Sequence, residues 1–137
     1  MTSNAPVNAT ATHFDIEPFA TVAFAELAAS PLVPVGQCLN PACSRQFAPA
    51  RAWQTYCCAA CRVADAAEFR LIGHRIAPAI LAHRLGKYTR ASTASHDPEA
   101  AARRALCAAA RRFLGEAQTE WKRSREARIR AAKGGQS

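Results

Sequence analysis

"CLNPACSRQFAPARAWQTYCCAACR", residues 38–62, packs five cysteines into two clusters. Cys38 and Cys43 form the first, with four residues between them; after thirteen intervening residues come Cys57, Cys58 and Cys61. A tetrahedral ion such as Zn2+ takes four ligands, and two short pairs set apart in the chain supply them with little entropy lost. Pro41 favours a turn that folds Cys38 and Cys43 back onto one point. The second cluster opens an Ala-rich helix, where side chains three or four positions apart share a face. Cys57 with Cys61 meets that condition, and so does Cys58 with Cys61. Neighbouring residues point about 100° apart around a helix, so Cys57 and Cys58 do not both face one ion from regular helical positions. Buried or disulfide-bonded thiols, and an all-cysteine iron–sulfur centre, rank behind zinc.

The stretch "CSRQFAPARAWQTYCCAACR" resembles the short prokaryotic treble-clef zinc fingers of pattern Cys…Cys-x3-Phe-x-Pro…(Phe/Tyr)-Cys-Ser-x-x-Cys-Arg. In that family a cysteine knuckle and the first turn of a helix share one zinc. The resemblance covers about residues 38–64. It sets Cys38 and Cys43 on the knuckle, Phe47 and Pro49 on the Phe and Pro, and Tyr56 on the aromatic position. Cys57 and Cys61 fall on the helical pair, Arg62 on the arginine after it, and Cys58 where serine is usual. The resemblance thus implies one structural Zn2+ on Cys38, Cys43, Cys57 and Cys61; the Cys58-x2-Cys61 spacing keeps Cys58 as the alternative ligand. The four residues inside the first pair depart from the commoner two. Four thiolates leave no open position on the ion, which implies a structural role. Phe47, Trp53 and Tyr56 are expected to form apolar cover beneath the metal rather than a stacking platform.

Composition agrees with a stapled fold. The chain has 137 residues, about one domain, and although half of them are hydrophobic, only six Phe, two Trp and two Tyr are there to fill a core. The start of the sequence has no signal-peptide pattern, and no apolar run suits a bilayer; the expectation is a reducing cytoplasm and no membrane partner. Net charge is +8 and unevenly placed: residues 1–50 hold one basic side chain against three acidic, residues 51–137 seventeen against seven. That asymmetry points to a polyanion, with nucleic acid first and DNA ahead of RNA. Candidate contacts are Arg45, Arg51, Arg62, Arg70 and Arg75, followed by Lys122, Arg123, Arg125, Arg128 and Arg130; Arg84, Lys87 and Arg90 extend the footprint. The alternative is a zinc-finger adaptor that binds a protein partner through the helix at 98–121. No glycine-rich phosphate loop, nucleophile elbow or paired carboxylate frame appears, so neither catalysis nor a small-molecule substrate is expected.

The fold class follows: mainly α, with a small metal-stabilised, treble-clef-like zinc finger, two or three helices after it, and a disordered N-terminus. Residues 1–36 read as disordered or linker with a short helix at 17–29, residues 37–72 as the zinc module, and residues 73–137 as a helical basic region. Gly73 and Pro78 are expected to interrupt the helix that starts at Ala59, leaving a second short helix with Ile80, Leu81 and Leu85 as its apolar face. Asp97, Pro98 and Glu99 are an N-cap, first position and acidic first turn for a long helix over about 98–133. Leu106, Ala110, Phe113, Leu114, Ala117 and Trp121 make its apolar stripe, and Cys107 near that stripe reads as a buried small hydrophobe. The polar stretch beyond Trp121 is expected to project into solvent or onto a partner.

Overall fold

The computed structural model describes residues 15–89 and 97–135. Residues 1–14 of the N-terminus expected to be disordered therefore fall outside the described residues, as do Arg90 and the 91–96 stretch before the long helix. The chain divides into two units, one ending at Pro34 and the other starting at Val35.

In the first unit, α1 (Phe19–Val22) and α2 (Phe24–Ala29) lie within the segment where one short helix was expected. Ala23, at φ −104° and ψ 32°, breaks the helical path between them. Neither helix buries a residue. Pieces this short do not hold themselves together by backbone bonding.

The second unit is the cysteine module followed by two long helices, α3 (Ala59–Gly86) and α4 (Pro98–Gly134), packed antiparallel. The break expected near Gly73 and Pro78 does not occur: α3 is continuous over 28 residues with Pro78 inside it. Gly73 faces open space, and Pro78 and His74 are both exposed, so the His74 carbonyl that loses its amide partner has water at hand. Contact with α4 on both sides of Pro78 outweighs a local cost of about 3 kcal/mol. α3 passes through position 73, where the zinc module was expected to give way to the helical basic region.

Residues of α3 that face α4 are Asp65, Glu68, Ile72, Ile76, Ala79, His83 and Gly86, three or four apart and all buried or half-buried. Ile80, Leu81 and Leu85, expected to be the apolar face, lie off that line and are exposed. On α4 the matching line is Ala100, Arg104, Cys107, Ala110, Leu114, Ala117, Trp121, Arg125 and Arg128. Leu106 and Phe113 drop out of the expected stripe and face outward. Cys107 is buried, as its position suggested. Asp97 caps α4 by accepting a hydrogen bond from the Glu99 amide at 3.0 Å, and Pro98 takes the first turn. The segment beyond Trp121 does not project away; it returns along α3 to the cysteine module.

Candidate metal centre and the basic surface around it

The knuckle is built by local backbone chemistry. Gly36 adopts φ +84°, and a Cβ there would lie 3.1 Å from the Phe47 carbonyl oxygen, so glycine is what the close approach admits. Next to it Gln37 and Gln46 form an antiparallel bridge, with the Cys38 amide donating to the Arg45 carbonyl at 2.9 Å. Within the four intervening residues, the Asn40 side-chain oxygen accepts from the Ala42 amide at 3.2 Å. The Asn40 carbonyl accepts from the amides of Cys43 and Ser44, both at 3.0 Å. Ser44 turns left-handed (φ 53°), and its hydroxyl donates to the Pro41 carbonyl at 3.0 Å. The longer spacing is thereby wound into one tight turn that sets both sulfurs on one side.

The second pair arrives on the strand-like approach to α3. The Leu39 amide donates to the Thr55 carbonyl at 2.7 Å, and the Cys57 amide donates to the Cys38 sulfur at 3.4 Å. Cys58 occupies the N-cap position in extended conformation, so Cys57 precedes the helix and is released from helical geometry. It turns inward while Cys58 stays exposed and makes no side-chain cap.

The ligand atoms of Cys38, Cys43, Cys57 and Cys61 all lie within 4.8 Å of one another. Cys43 and Cys57 are 3.8 Å apart, Cys57 and Cys61 3.7 Å. Four sulfurs at about 2.3 Å from a tetrahedral ion are about 3.8 Å from one another, whereas a disulfide would need about 2.05 Å. The four cysteines therefore fit a metal ion, and no disulfide joins them. Burial, and then the thiols of Cys61, Cys58, Cys38 and Cys43, push the Cys57 thiol far above its ordinary range. A divalent cation held among the four sulfurs would supply the charge that favours the Cys57 thiolate.

Comparison with family models, with curated proteins and with solved structures finds no match for this chain.

Behind the cysteines lies a polar network that joins the knuckle, α3 and α4. Asp65 is buried and accepts from Arg125 through both oxygens, at 2.8 and 3.1 Å, and from the Tyr56 hydroxyl at 2.6 Å. Arg125 also donates to Glu68 at 2.8 Å and to the Leu39 carbonyl at 3.0 Å. Glu68 further accepts from the Trp121 indole at 2.8 Å and from both terminal nitrogens of Arg128. The Arg125 guanidinium lies 5.3 Å from the Phe69 ring centre and 5.8 Å from that of Trp121, and those two rings meet edge to face. Hydrogen bonds from Arg128 above all, then from Trp121 and Arg125, hold the Glu68 carboxyl down at about 2. Burial and the Asp65 hydrogen bond push the Tyr56 hydroxyl well above its ordinary value.

This network sorts the arginines read from the sequence. Arg125, expected to reach phosphate, is turned inward with 15 % of its side chain exposed. Arg128 is half-buried and bound to Glu68. The reason is a pair of acids on α3, three positions apart, facing a pair of arginines on α4 at the same spacing. Lys122 is exposed but bridges Glu126 at 2.8 Å. Among the described residues, Arg45, Arg51, Arg62, Arg70, Arg75, Arg123 and Arg130 are exposed and within ion-pair distance of no acid. No described helix is long and apolar enough to cross a membrane.

Two of the three aromatics expected as cover are half-buried, Phe47 and Tyr56. The third, Trp53, stands out at 63 % exposure. Its polar surroundings in "RAWQT" were the available signal.

Proposed function

We propose that the chain is a zinc-stabilised nucleic-acid-binding protein in which one structural Zn2+ is held by Cys38, Cys43, Cys57 and Cys61. All-sulfur donors at tetrahedral edge lengths support zinc. A sulfur-bearing turn set against the opening of a helix agrees with the treble-clef resemblance. The observation that carries the nucleic-acid reading is the division of the arginines. Asp65 and Glu68 consume Arg125 and Arg128, while seven other candidate arginines, Arg45, Arg51, Arg62, Arg70, Arg75, Arg123 and Arg130, stay exposed and without an ion pair among the described residues.

Retention on DNA and on RNA across 50–200 mM salt tests it, where each phosphate contact adds about 0.9 to the slope of log affinity against log salt. The parent is expected to lose affinity steeply, and the combined Arg51→Ala, Arg62→Ala, Arg123→Ala, Arg130→Ala variant is expected to show a slope smaller by about 3–4. Arg125 and Arg128 are left intact so that folding is not the variable. One observation favours a second reading, an adaptor for a protein partner: Leu106 and Phe113 on α4 are exposed. A parent protein with no salt-sensitive retention on either nucleic acid would move the assignment there.

A further inference from the structure

Large aromatic side chains left in water are ordinarily mobile or covered by something else. Trp53 is exposed, yet the turn that carries it is stapled. The Gln54 amide donates to the Arg51 carbonyl at 3.0 Å. The Gln54 side chain accepts from the Ala50 amide at 2.7 Å and donates to the Tyr56 carbonyl at 2.9 Å. Tyr56 is fixed in turn by its hydroxyl on Asp65, and the next residue, Cys57, belongs to the sulfur cluster. The backbone that carries the indole is thus fixed to the same frame that carries the cysteine cluster, and the ring itself is exposed.

Around it lies a groove of about 480 Å3, lined by Arg51, Trp53, Tyr56, Cys58, Ala59 and Arg62 among others. That volume suits a ligand of nucleotide size. Arg51 and Arg62 are exposed and form no ion pair among the described residues. Ala59 and Arg62 belong to the first turn of α3, where the helix dipole favours an anion. An aromatic face between two unpaired cations is the pattern that takes a base with its neighbouring phosphates.

We propose that this groove takes one unpaired base of single-stranded nucleic acid, stacked on Trp53, with the adjoining phosphates held by Arg51, Arg62 and the start of α3. The proposal rests on the nucleic-acid reading above and narrows it to single strands. In a duplex the base faces are already covered by their neighbours, so the indole has nothing to stack on. Every base has such a face, so the groove tolerates any sequence.

The test uses the full chain, loaded with zinc, and mixed-sequence 12-nucleotide DNA and RNA, each as single strand and as duplex. Binding is read by anisotropy at fixed salt. The parent is expected to favour a single strand over its duplex. Trp53→Ala is expected to weaken single-strand binding roughly 5- to 150-fold while leaving duplex binding within about twofold. Trp53→Phe, which keeps a ring, is expected to recover most of the loss. Unchanged zinc content and an unchanged urea midpoint show that the variants keep the fold. Stacking-dependent binding of either DNA or RNA strands supports the proposal. Equal affinity for single strand and duplex, or a Trp53→Ala variant that binds single strands like the parent, overturns it while salt-sensitive retention still stands. No binding by the parent to any of the four overturns both readings.

Discussion

Where α3 finishes at Gly86, it meets the first turns of α4 through small side chains; near the cysteines, the same two helices meet through charges. At the first end a Cβ on Gly86 would lie 2.7 Å from both the Arg103 carbonyl oxygen and the Cys107 Cβ. Ala79, Ala100, Cys107 and Ala110 continue that close approach. At the other end Asp65, Glu68, Arg125 and Arg128 occupy the same interface positions. Tight apolar contact gains dispersion energy without needing any particular partner. A buried ion gains only when every partner is in place, because desolvation costs several kcal/mol per ion. The lesson is that one end is held by shape and the other by a completed set of bonds, to which the cysteine cluster is tied through Leu39 and Tyr56.

The largest expected effect falls on the sulfur cluster. Cys38→Ser and Cys61→Ser should each abolish stoichiometric metal in elemental analysis and collapse the urea midpoint, since structural zinc supplies about 10–16 kcal/mol in small fingers. Stoichiometric iron in place of zinc would redirect the assignment of the ion. Next comes Arg125→Ala, which leaves Asp65 buried and short of its partner; a loss of about 3–5 kcal/mol is expected in urea unfolding. The more exposed Arg128 should cost no more than about 1–2 kcal/mol on the same assay, and equal losses would break the contrast drawn between them.

Gly86→Ala probes the opposite end. Overpacking costs about 1–3 kcal/mol, against about 1 kcal/mol gained in helix propensity, so a modest net drop in melting temperature with metal content unchanged is expected. A smaller effect is pH-dependent. Glu68 sits at about 2, below an ordinary 4.5, so its contribution is complete above about 4.5 and is lost as pH falls toward 2. Stability of Glu68→Gln should therefore trail the parent most at neutral pH, and the two should converge on acidification; a gap that widens in acid would contradict the sign. Metal release by acid is shared by both proteins and drops out of the difference. The smallest effect is expected for Cys58→Ser, which lies outside the cluster and should leave metal content and stability as they were.

Much of this was legible in the sequence. Cysteine spacing located the sulfur cluster, although it left Cys57 and Cys58 level; the resemblance preferred Cys57, and the four sulfurs within 4.8 Å of one another are those of Cys38, Cys43, Cys57 and Cys61. The Asp97-Pro98-Glu99 start of α4 was readable because capping is local chemistry. The continuity of α3 was not, because Gly73 and Pro78 are local breakers overruled by a helix that lies far away in the chain. Nor does anything near Arg125 distinguish it from Arg123. Which of the two turns inward depends on the register against Asp65 and Glu68, some 60 residues earlier. Only the equal spacing of the acid pair and the arginine pair hinted at the match. Trp53 was misplaced for a related reason: aromatic residues beside a metal site usually serve as cover, and the bonds of Gln54 that fix the turn carrying this one do not show in composition.

The bond from Arg125 to the Leu39 carbonyl spans 86 positions. Such a contact closes late, because the loop entropy between its ends has to be overcome first. During translation the cysteines emerge well before Arg125, by several seconds at roughly 5–20 residues per second. Over that interval the cysteine segment stands without the cation that neutralises Asp65, and the polar network behind it is completed only by a segment made several seconds later.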